Sequence, residues 1–473
     1  MAEHYSLDGH DKPETTPGAR ISYQAGKGTV YDPADPRYWD AELLKEEVER
    51  VFEVCHGCRM CFKYCDSFPS LFSFIDDRHN GDVRGLTKRE TDAVMDACFQ
   101  CKLCEVQCPY TPREGHEFQL DFPKLVHRYQ AQRLKREGAG LRKSLRRRML
   151  GNPDLAAKLA RMSFGVANTM NRVKLHRWFM EKMLGVHQDA HLPDFASQTF
   201  EAWAEKSGRI QPDPKGGPGA EAVLFETCYV QNNDPSLGRD TLEVLDRNGC
   251  HAGCVKGLAC CGMPAWEHGD LDLLRKQAKR NLDALLPHVE AGSKVIAINP
   301  TCAMMLRREY PELVAEEDRE RAKKLAEAVR DPGEFLWSIR NEPRANWHFE
   351  STPGPIAYHA PCHLRAQAVG FKGRDLLRKI PGVTLSTVME CCGHDGTYAM
   401  KYETYDDSKR IGDKAFKGMQ GNEAAEVWAT ECPLAGLQFE HHAGRKALHP
   451  MTILAMAYRK DGFPTPVPPK EEA

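Results

Sequence analysis

Eight of the 18 cysteines lie in two tight runs. Cys55, Cys58, Cys61 and Cys65 form C-x-x-C-x-x-C-x-x-x-C, and Cys98, Cys101, Cys104 and Cys108 repeat it, followed by Pro109. Three thiolates at this spacing wrap one cube of iron and sulfide, while the fourth reaches the other cube. The spacing predicts one 4Fe–4S cluster on Cys55, Cys58, Cys61 and Cys108, and a second on Cys98, Cys101, Cys104 and Cys65. Structural zinc is the competing reading, but zinc sites use C-x-x-C pairs separated by a longer loop. Asp66 stands where the second run has Pro109; it changes loop stiffness and adds a charge but removes no ligand. Two such cubes sit close together and pass single electrons.

Eight further cysteines fall in a longer repeat. AVLFETCYV contains Cys228; Cys260-Cys261-Gly262 follows, then KVIAINPTC ending at Cys302. The second pass has IAYHAPC ending at Cys362, Cys391-Cys392-Gly393, and EVWATEC ending at Cys432. Corresponding cysteines are offset by 134, 131 and 130 residues, which indicates a duplicated unit. Short apolar strands alternating with helices predict parallel α/β layers. Ligands then collect beyond the carboxyl ends of the strands, where Cys228, Cys302, Cys362 and Cys432 are expected. Four thiols per unit suffice for a cube. A thiol/disulfide couple and inert buried thiols are the alternatives. Cys250 and Cys254 fall outside the repeat and read as core or surface thiols. His359, His363 and His394 flank the second set; such residues ligate metal, hydrogen-bond a cluster or simply pack. His441 and His442 read as a solvated helical face.

The stretches TCYVQNNDPSLGRD, CCGMPAWEHG, HAPCHLRAQAVG, CCGHDGTYAMKYE and TECPLAGLQFE carry a resemblance. From about residue 51 to 460 the chain resembles heterodisulfide-reductase-related CCG-domain iron–sulfur proteins. Within them it looks most like the iron–sulfur subunit of anaerobic glycerol-3-phosphate dehydrogenase. The resemblance implies an electron-transfer subunit fed by a flavin-containing dehydrogenase partner and discharging to quinone. It further implies one or two additional iron–sulfur clusters in the CCG units. Heterodisulfide reductase holds a fused cluster with five cysteines per unit; Met305 and Ala435 stand where the fifth would be. In the nearer relatives' pattern the second unit keeps that cysteine, so Ala435 departs even from them. A heterodisulfide-reductase-like reduction of a disulfide or persulfide, and a redox-responsive scaffold for a partner, are the alternative functions.

The elements that must position these thiols are read as follows. Residues 1–50 form an irregular arm with a helix starting near Ala41, and 51–123 a two-cluster ferredoxin-type domain. A basic helical connector (124–186) and a linker (187–220) follow. CCG domain 1 (221–345), CCG domain 2 (346–462) and a disordered tail (463–473) complete the chain. The expected fold class is α+β and α/β: a two-cluster ferredoxin-like helical module, then two duplicated α/β CCG domains with parallel strands. Residues 124–182 carry 16 Lys and Arg against 3 acids. Leu141, Leu145 and Met149, then Leu155, Leu159 and Met162, recur at helical spacing with Pro153 between. Such helices suit an anionic membrane surface, or pack as a connector on the ferredoxin-type domain.

The whole chain has a formal net charge of −2, which argues against nucleic acid as a partner. No long apolar run and no secretory signal is seen, and so many thiols without one read as metal ligands. The expected location is cytoplasmic, or peripheral on the cytoplasmic face of the inner membrane. No G-x-G-x-x-G opens a βαβ unit and no P-loop occurs, so a nucleotide site is not indicated. The expected role is electron transfer within an oxidoreductase complex, with no acid–base catalytic residue assigned.

Overall fold

The computed structural model describes residues 21–138, 141–163, 165–214, 217 and 219–467, with backbone only at 141–143. It divides into two compact units: Met1–Ala139 with Trp266–Asp270, and Gly140–Ala265 with Leu271–Ala473.

Helices dominate the first unit. Asp40 caps the helix Ala41–Cys58 by accepting from the Leu43 N–H at 2.9 Å. This helix begins where expected and crosses the predicted arm boundary to carry Cys55 and Cys58 at its end. Ser67–Arg78, Lys88–Asp96 and Phe122–Glu137 complete the frame. Their apolar faces meet around Phe52, Phe68 and Phe122, with the Phe68 and Phe122 ring centroids 4.8 Å apart. Thr87 and Glu90 close a capping box at the start of the third helix. Trp266 is buried against this frame, stacked on His127 with the Lys102 ammonium 5.2 Å from its ring centre.

The described part of the arm is held, not loose. The buried Arg128 guanidinium donates to three arm carbonyls, Tyr38 O (2.8 Å), Gly28 O (2.6 Å) and Arg37 O (2.7 Å). Arg50 donates to Tyr23 O and Phe118 O while paired with Glu47. Little apolar patterning marks residues 21–40, so sequence periodicity missed an attachment made by backbone carbonyls. Residues 1–20 lie outside the described residues.

The second unit contains two four-stranded parallel sheets. The first is built from β1 (Ala222–Phe225), β2 (Ala252–Cys254), β3 (Lys294–Ala297) and β4 (Val329–Arg330), in the order β2-β1-β3-β4. After a short strand, β5 (Ser351–Thr352), come β6 (Ile356–His359), β7 (Leu385–Val388), β8 (Val427–Thr430) and β9 (Ala447–Leu448). They pair as β7-β6-β8-β9, the same arrangement relative to chain order. β1, β2 and β6 are buried along their whole length, as continuous apolar runs covered on both faces should be. One core runs under both sheets, joining Leu224 and Ile296 to Ile356, Tyr358 and Ala429. Residues 221–345 and 346–462 therefore form one compact body rather than two separable ones.

Two boundaries differ from expectation. Helix Phe122–Glu137 belongs to the first unit, while helices Leu141–Leu150, Pro153–Met162, Val166–Met170 and Lys174–Leu184 belong to the second. The basic stretch is thus not one connector. At the other end β10 (Thr465–Pro466), in the tail expected to be disordered, pairs antiparallel with β5. Residues 468–473 lie outside the described residues. Among the described residues no helix is long and apolar enough to cross a membrane.

Candidate metal centres

In the first unit a local fold occurs twice. Cys55 and Cys58 end their helix, and Arg59 then turns left-handed (φ 56°), its N–H donating to Cys55 O. Lys102, directly after Cys101, is also left-handed (φ 58°), before the short helix Leu103–Gln107. A non-glycine residue in this region costs about 1–2 kcal/mol, so its recurrence at the same step of both runs marks a constraint that neighbouring structure must enforce.

The thiols of the two runs lie close to one another. Burial pushes Cys55 well above the ordinary thiol range, and the facing Cys61, Cys108 and Cys58 add to it. Cys61 is pushed up to about 12 by burial, then by Cys108 and Cys58. Cys108 rises to about 11 through burial, against a hydrogen bond from the Tyr110 N–H. These four thiols line one cavity together with Cys104. In the second group burial raises Cys104 well above its usual value, reinforced by Cys61, Cys101, Cys98 and Cys65. The two groups adjoin: Cys61 Sγ lies 3.8 Å from Cys104 O.

Each sheet of the second unit presents its cysteines beyond adjacent strand ends. Cys228 follows β1 on the helix Thr227–Asn232, and Cys302 follows β3 on Pro300–Met304. Cys362 opens the helix after β6, and Cys432 caps the helix Pro433–Ala443 after β8. The glycine of each C-C-G lets the pair turn inward. Gly262 has φ 90°, and a Cβ there would stand 2.8 Å from Leu274 Cδ1; Gly393 has φ 75°, and its Cβ would strike the Ser408 carbonyl.

In the first set the thiols adjoin in a row, Cys228 beside Cys260, Cys260 beside Cys261, and Cys261 beside Cys302. The Cys261 hydrogen bond lowers Cys302, but burial and the Cys228, Cys260 and Cys432 thiols lift it to about 11. Asp154, from the basic helices, accepts the Cys260 N–H at 2.7 Å. In the second set burial raises Cys392 well above its usual value, with Cys391 and Cys432 next, and lifts Cys432 to about 12. Sulfur is met by backbone donors: the Gly393 N–H points at Cys391 Sγ (3.3 Å), and the Ala435 and Leu434 N–H groups at Cys432.

Cys362 has different company. Its Sγ, a His363 ring nitrogen and an Asp395 oxygen all lie within 4.8 Å of one another. His363 Nε2 is 2.9 Å from Asp395 Oδ2, and Nδ1 is 2.9 Å from Thr301 Oγ1. Both residues are deeply buried, at 1% and 3% exposure, and Asp395 also acts electrostatically on Cys392 and Cys432. Sequence reasoning missed Asp395. Its signal was the contrast between Cys392-Gly-His394-Asp395 and Cys261-Gly-Met263-Pro264 at the same point of the repeat. Asp154 gave no such signal, because an acid in a first helical turn is ordinary.

His394 Nδ1 accepts the Ala399 N–H at 3.2 Å. His359 spends both ring nitrogens on Thr430 Oγ1 and Glu390 O, and burial lowers its pKa to about 4. His441 and His442 are half-buried, not a solvated face: His441 Nε2 meets Tyr405 Oη at 2.9 Å, and His442 packs on Phe416. Cys250 and Cys254 are buried in the shared core. Met305 and Ala435 are fully buried and bring no thiol to either set.

The donor chemistry fits a cationic centre. Crowded, buried thiols stay protonated on their own, because several thiolates in low dielectric repel one another and lack hydration. Bound iron reverses that balance and holds them as thiolates.

Fold and thiols together define a cysteine-rich CCG-domain protein: the CCG cysteine-rich domain family matches residues 222–307 and 356–440. The C subunit of anaerobic glycerol-3-phosphate dehydrogenase from Escherichia coli (strain K12) is 30% identical over 318 residues, covering 67% of this chain and 78% of the relative. Lactate utilization protein A 1 of Bacillus cereus (strain AH820) is 28% identical over 38% of this chain and 75% of that protein. The chain belongs to the family of the anaerobic glycerol-3-phosphate dehydrogenase C subunit.

Proposed function

We propose that this chain is an iron–sulfur electron carrier of an oxidoreductase complex, taking electrons from a flavin-containing dehydrogenase subunit and passing them towards quinone at the cytoplasmic face of the membrane. The observation that carries this reading is the gathering of the repeat cysteines into thiol groups among buried apolar surroundings. The first unit is a two-cluster ferredoxin-type module, with ligand sets Cys55, Cys58, Cys61, Cys108 and Cys98, Cys101, Cys104, Cys65. Cys228, Cys260, Cys261 and Cys302 hold a third centre. Cys362, Cys391, Cys392 and Cys432 serve a fourth, in which His363 and Asp395 supply nitrogen and oxygen donors beside Cys362.

Bound clusters of this kind supply reversible one-electron chemistry. The protein's part is to fix the sulfurs, exclude water and aim N–H groups at them; the Tyr110, Gly393 and Ala435 amides do so, and such donors tune a potential. The relatives' name supports a dehydrogenase partner. Five-thiolate, disulfide-cleaving chemistry is disfavoured, since neither Met305 nor Ala435 carries a thiol.

Anaerobic purification with iron and acid-labile sulfide counts tests the reading. About eight irons fill the two cubes alone, and about twelve to sixteen fill the CCG sets as well. Double substitutions test the crossed assignment. Cys58→Ala with Cys108→Ala should lose no more iron than either alone, whereas Cys101→Ala with Cys108→Ala should lose about eight. Zinc, or no metal, in an oxygen-free preparation would end the carrier reading.

A further inference from the structure

Three buried polar side chains stand beside the first CCG thiols. Gln277 and Asn281 lie one turn apart on one face of the helix Leu271–Glu290, at 5% and 0% exposure. Asn281 fixes the entry to the C-C-G turn. Its oxygen accepts the Ala259 N–H at 2.8 Å, and its Nδ2 donates to Cys260 O at 3.3 Å and to Tyr310 Oη at 3.0 Å. Gln277 lies against the same turn, since a Cβ on Gly262 would stand 3.4 Å from its amide oxygen. Neither that oxygen nor its nitrogen has a hydrogen-bond partner among the described residues. Tyr310 is fully buried and follows the single π-helical turn Met305–Glu309 after Cys302, a winding that recurs at functional sites. Its oxygen accepts from Asn281, and among the described residues no acceptor takes its own proton.

We propose that Gln277 and Tyr310 donate hydrogen bonds to sulfur of the iron–sulfur centre held by Cys228, Cys260, Cys261 and Cys302, and so raise its reduction potential. The inference rests on the carrier function above and adds which side chains tune the third centre. A buried amide unpaired at both ends is costly enough that folded proteins rarely keep one without a ligand. Sulfur supplies the acceptor, because thiolate and sulfide carry the negative charge of such a centre and no protons of their own. Burial, then the Cys261 thiol, push the Tyr310 phenol well above its ordinary value, so its proton stays on the oxygen as a donor. An added electron makes the centre more negative, and donors aimed at sulfur stabilise that state. Asp154, against the Cys260 N–H, acts in the opposite sense, and two neutral donors offset it without adding charge.

The second unit has no such pair. At the 131-residue offset of the C-C-G cysteines, Ser408 and Gly412 stand in place of Gln277 and Asn281. At the 130-residue offset of Cys302 and Cys432, the exposed Glu440 stands in place of Tyr310. Ser408 Oγ already donates to Gly393 O at 2.7 Å. The tuning therefore belongs to the first CCG centre alone. Transfer there is one electron in and one electron out: no covalent bond changes, and the amide and phenol keep their protons. The electron originates in the substrate oxidised by the dehydrogenase partner.

A redox titration of the full-length protein followed by EPR, with iron and acid-labile sulfide counted in the same sample, tests the two donors. The third centre's signal is the one that Cys302→Ala removes. Tyr310→Phe and Gln277→Leu should each cut its reduced-to-oxidised ratio at the parent's midpoint by roughly threefold. The double variant should cut it by about tenfold, which is about 59 mV for one electron. The other centres should keep their potentials and their iron. A packing role would instead lower metal content or stability and leave the potential of the loaded centre where it was. A second measurement needs no substitution: protein grown on glutamine with a heavy-nitrogen side chain should show weak nitrogen coupling at the third centre in pulsed EPR. Full metal with unmoved potentials, or without that coupling, would overturn the proposal and leave the carrier reading standing. About eight irons per chain would remove the third centre itself, and with it both the carrier role of this set and its tuning.

Discussion

Asp395 is the residue whose environment departs furthest from what its neighbours in sequence suggest. A carboxylate at 3% exposure, 2.9 Å from His363 Nε2 and electrostatically coupled to Cys392 and Cys432, needs a positive partner. The imidazole supplies one if protonated; a metal held with Cys362 supplies a stronger one. Asp395→Ala should therefore remove metal from the second CCG set and leave the first intact, a loss of up to about four irons per chain on cluster stoichiometry. Asp395→Asn, which keeps an oxygen but no charge, should retain more. Nitrogen hyperfine coupling in pulsed EPR, abolished by His363→Ala, would show imidazole at the centre. Unchanged iron in Asp395→Ala would mean that the pair only packs. The sixteen repeat cysteines were legible because thiol chemistry forces a spacing. His363 was one of three equivalent-looking histidines, and only tertiary placement separates it from His359, whose nitrogens are satisfied by Thr430 and Glu390.

Among the elements, the strands were legible as apolar runs ending at cysteines, and β1, β3, β6 and β8 stand where those runs predict. The arm was not, because its attachment is polar and uses main-chain oxygens from residues with no pattern. Arg128→Met would remove three hydrogen bonds from a charged donor, roughly 1.5–3 kcal/mol each, although Tyr38 O, Gly28 O and Arg37 O keep Gln132 Nε2, the Val30 N–H and the Asp40 N–H as second donors. Destabilisation by several kcal/mol is expected, with cleavage between residues 21 and 40 in limited proteolysis preceding loss of the metal signal. Arm cleavage no faster than in the parent would show that other contacts hold it.

The capping box gives a pH-dependent counterpart. The Thr87 N–H, then His79, hold the Glu90 carboxyl down at about 2 from its usual 4.5. A depressed carboxyl stabilises the fold above its unfolded pKa, and that contribution is lost as pH falls from about 4.5 through about 2. Glu90→Gln, which keeps the shape and removes the charge, should cost about 1 kcal/mol at pH 7, read by denaturant titration. The difference from the parent should shrink steadily below pH 4.5, while a gap constant to pH 2 would place the effect outside the ionised cap.

For the whole molecule, the near-neutral balance conceals a strong asymmetry. Residues 141–184 carry eleven Lys and Arg against two acids, on a chain whose net charge is −2. Ten of the fifteen exposed large hydrophobic side chains among the described residues fall between Leu145 and Met183, Trp178 and Phe179 among them. Cations alone would suit a solvated face and exposed apolar groups alone a protein contact; their coincidence on short helices is the composition that the proposed membrane attachment requires. Each basic residue near an anionic surface contributes about 1 kcal/mol, and that attraction decays with a Debye length of about 10 Å at 0.1 M salt and 3 Å at 1 M. The full-length protein should therefore sediment with phosphatidylglycerol vesicles at about 0.1 M salt and lose most of that binding near 1 M. It should ignore phosphatidylcholine vesicles throughout. Trp178→Ala with Phe179→Ala should weaken binding at low salt without altering its salt dependence, because it removes buried apolar area and no charge. Equal partition onto both lipids would assign the attachment to the apolar groups alone. Failure to bind at any salt would detach these helices from the membrane.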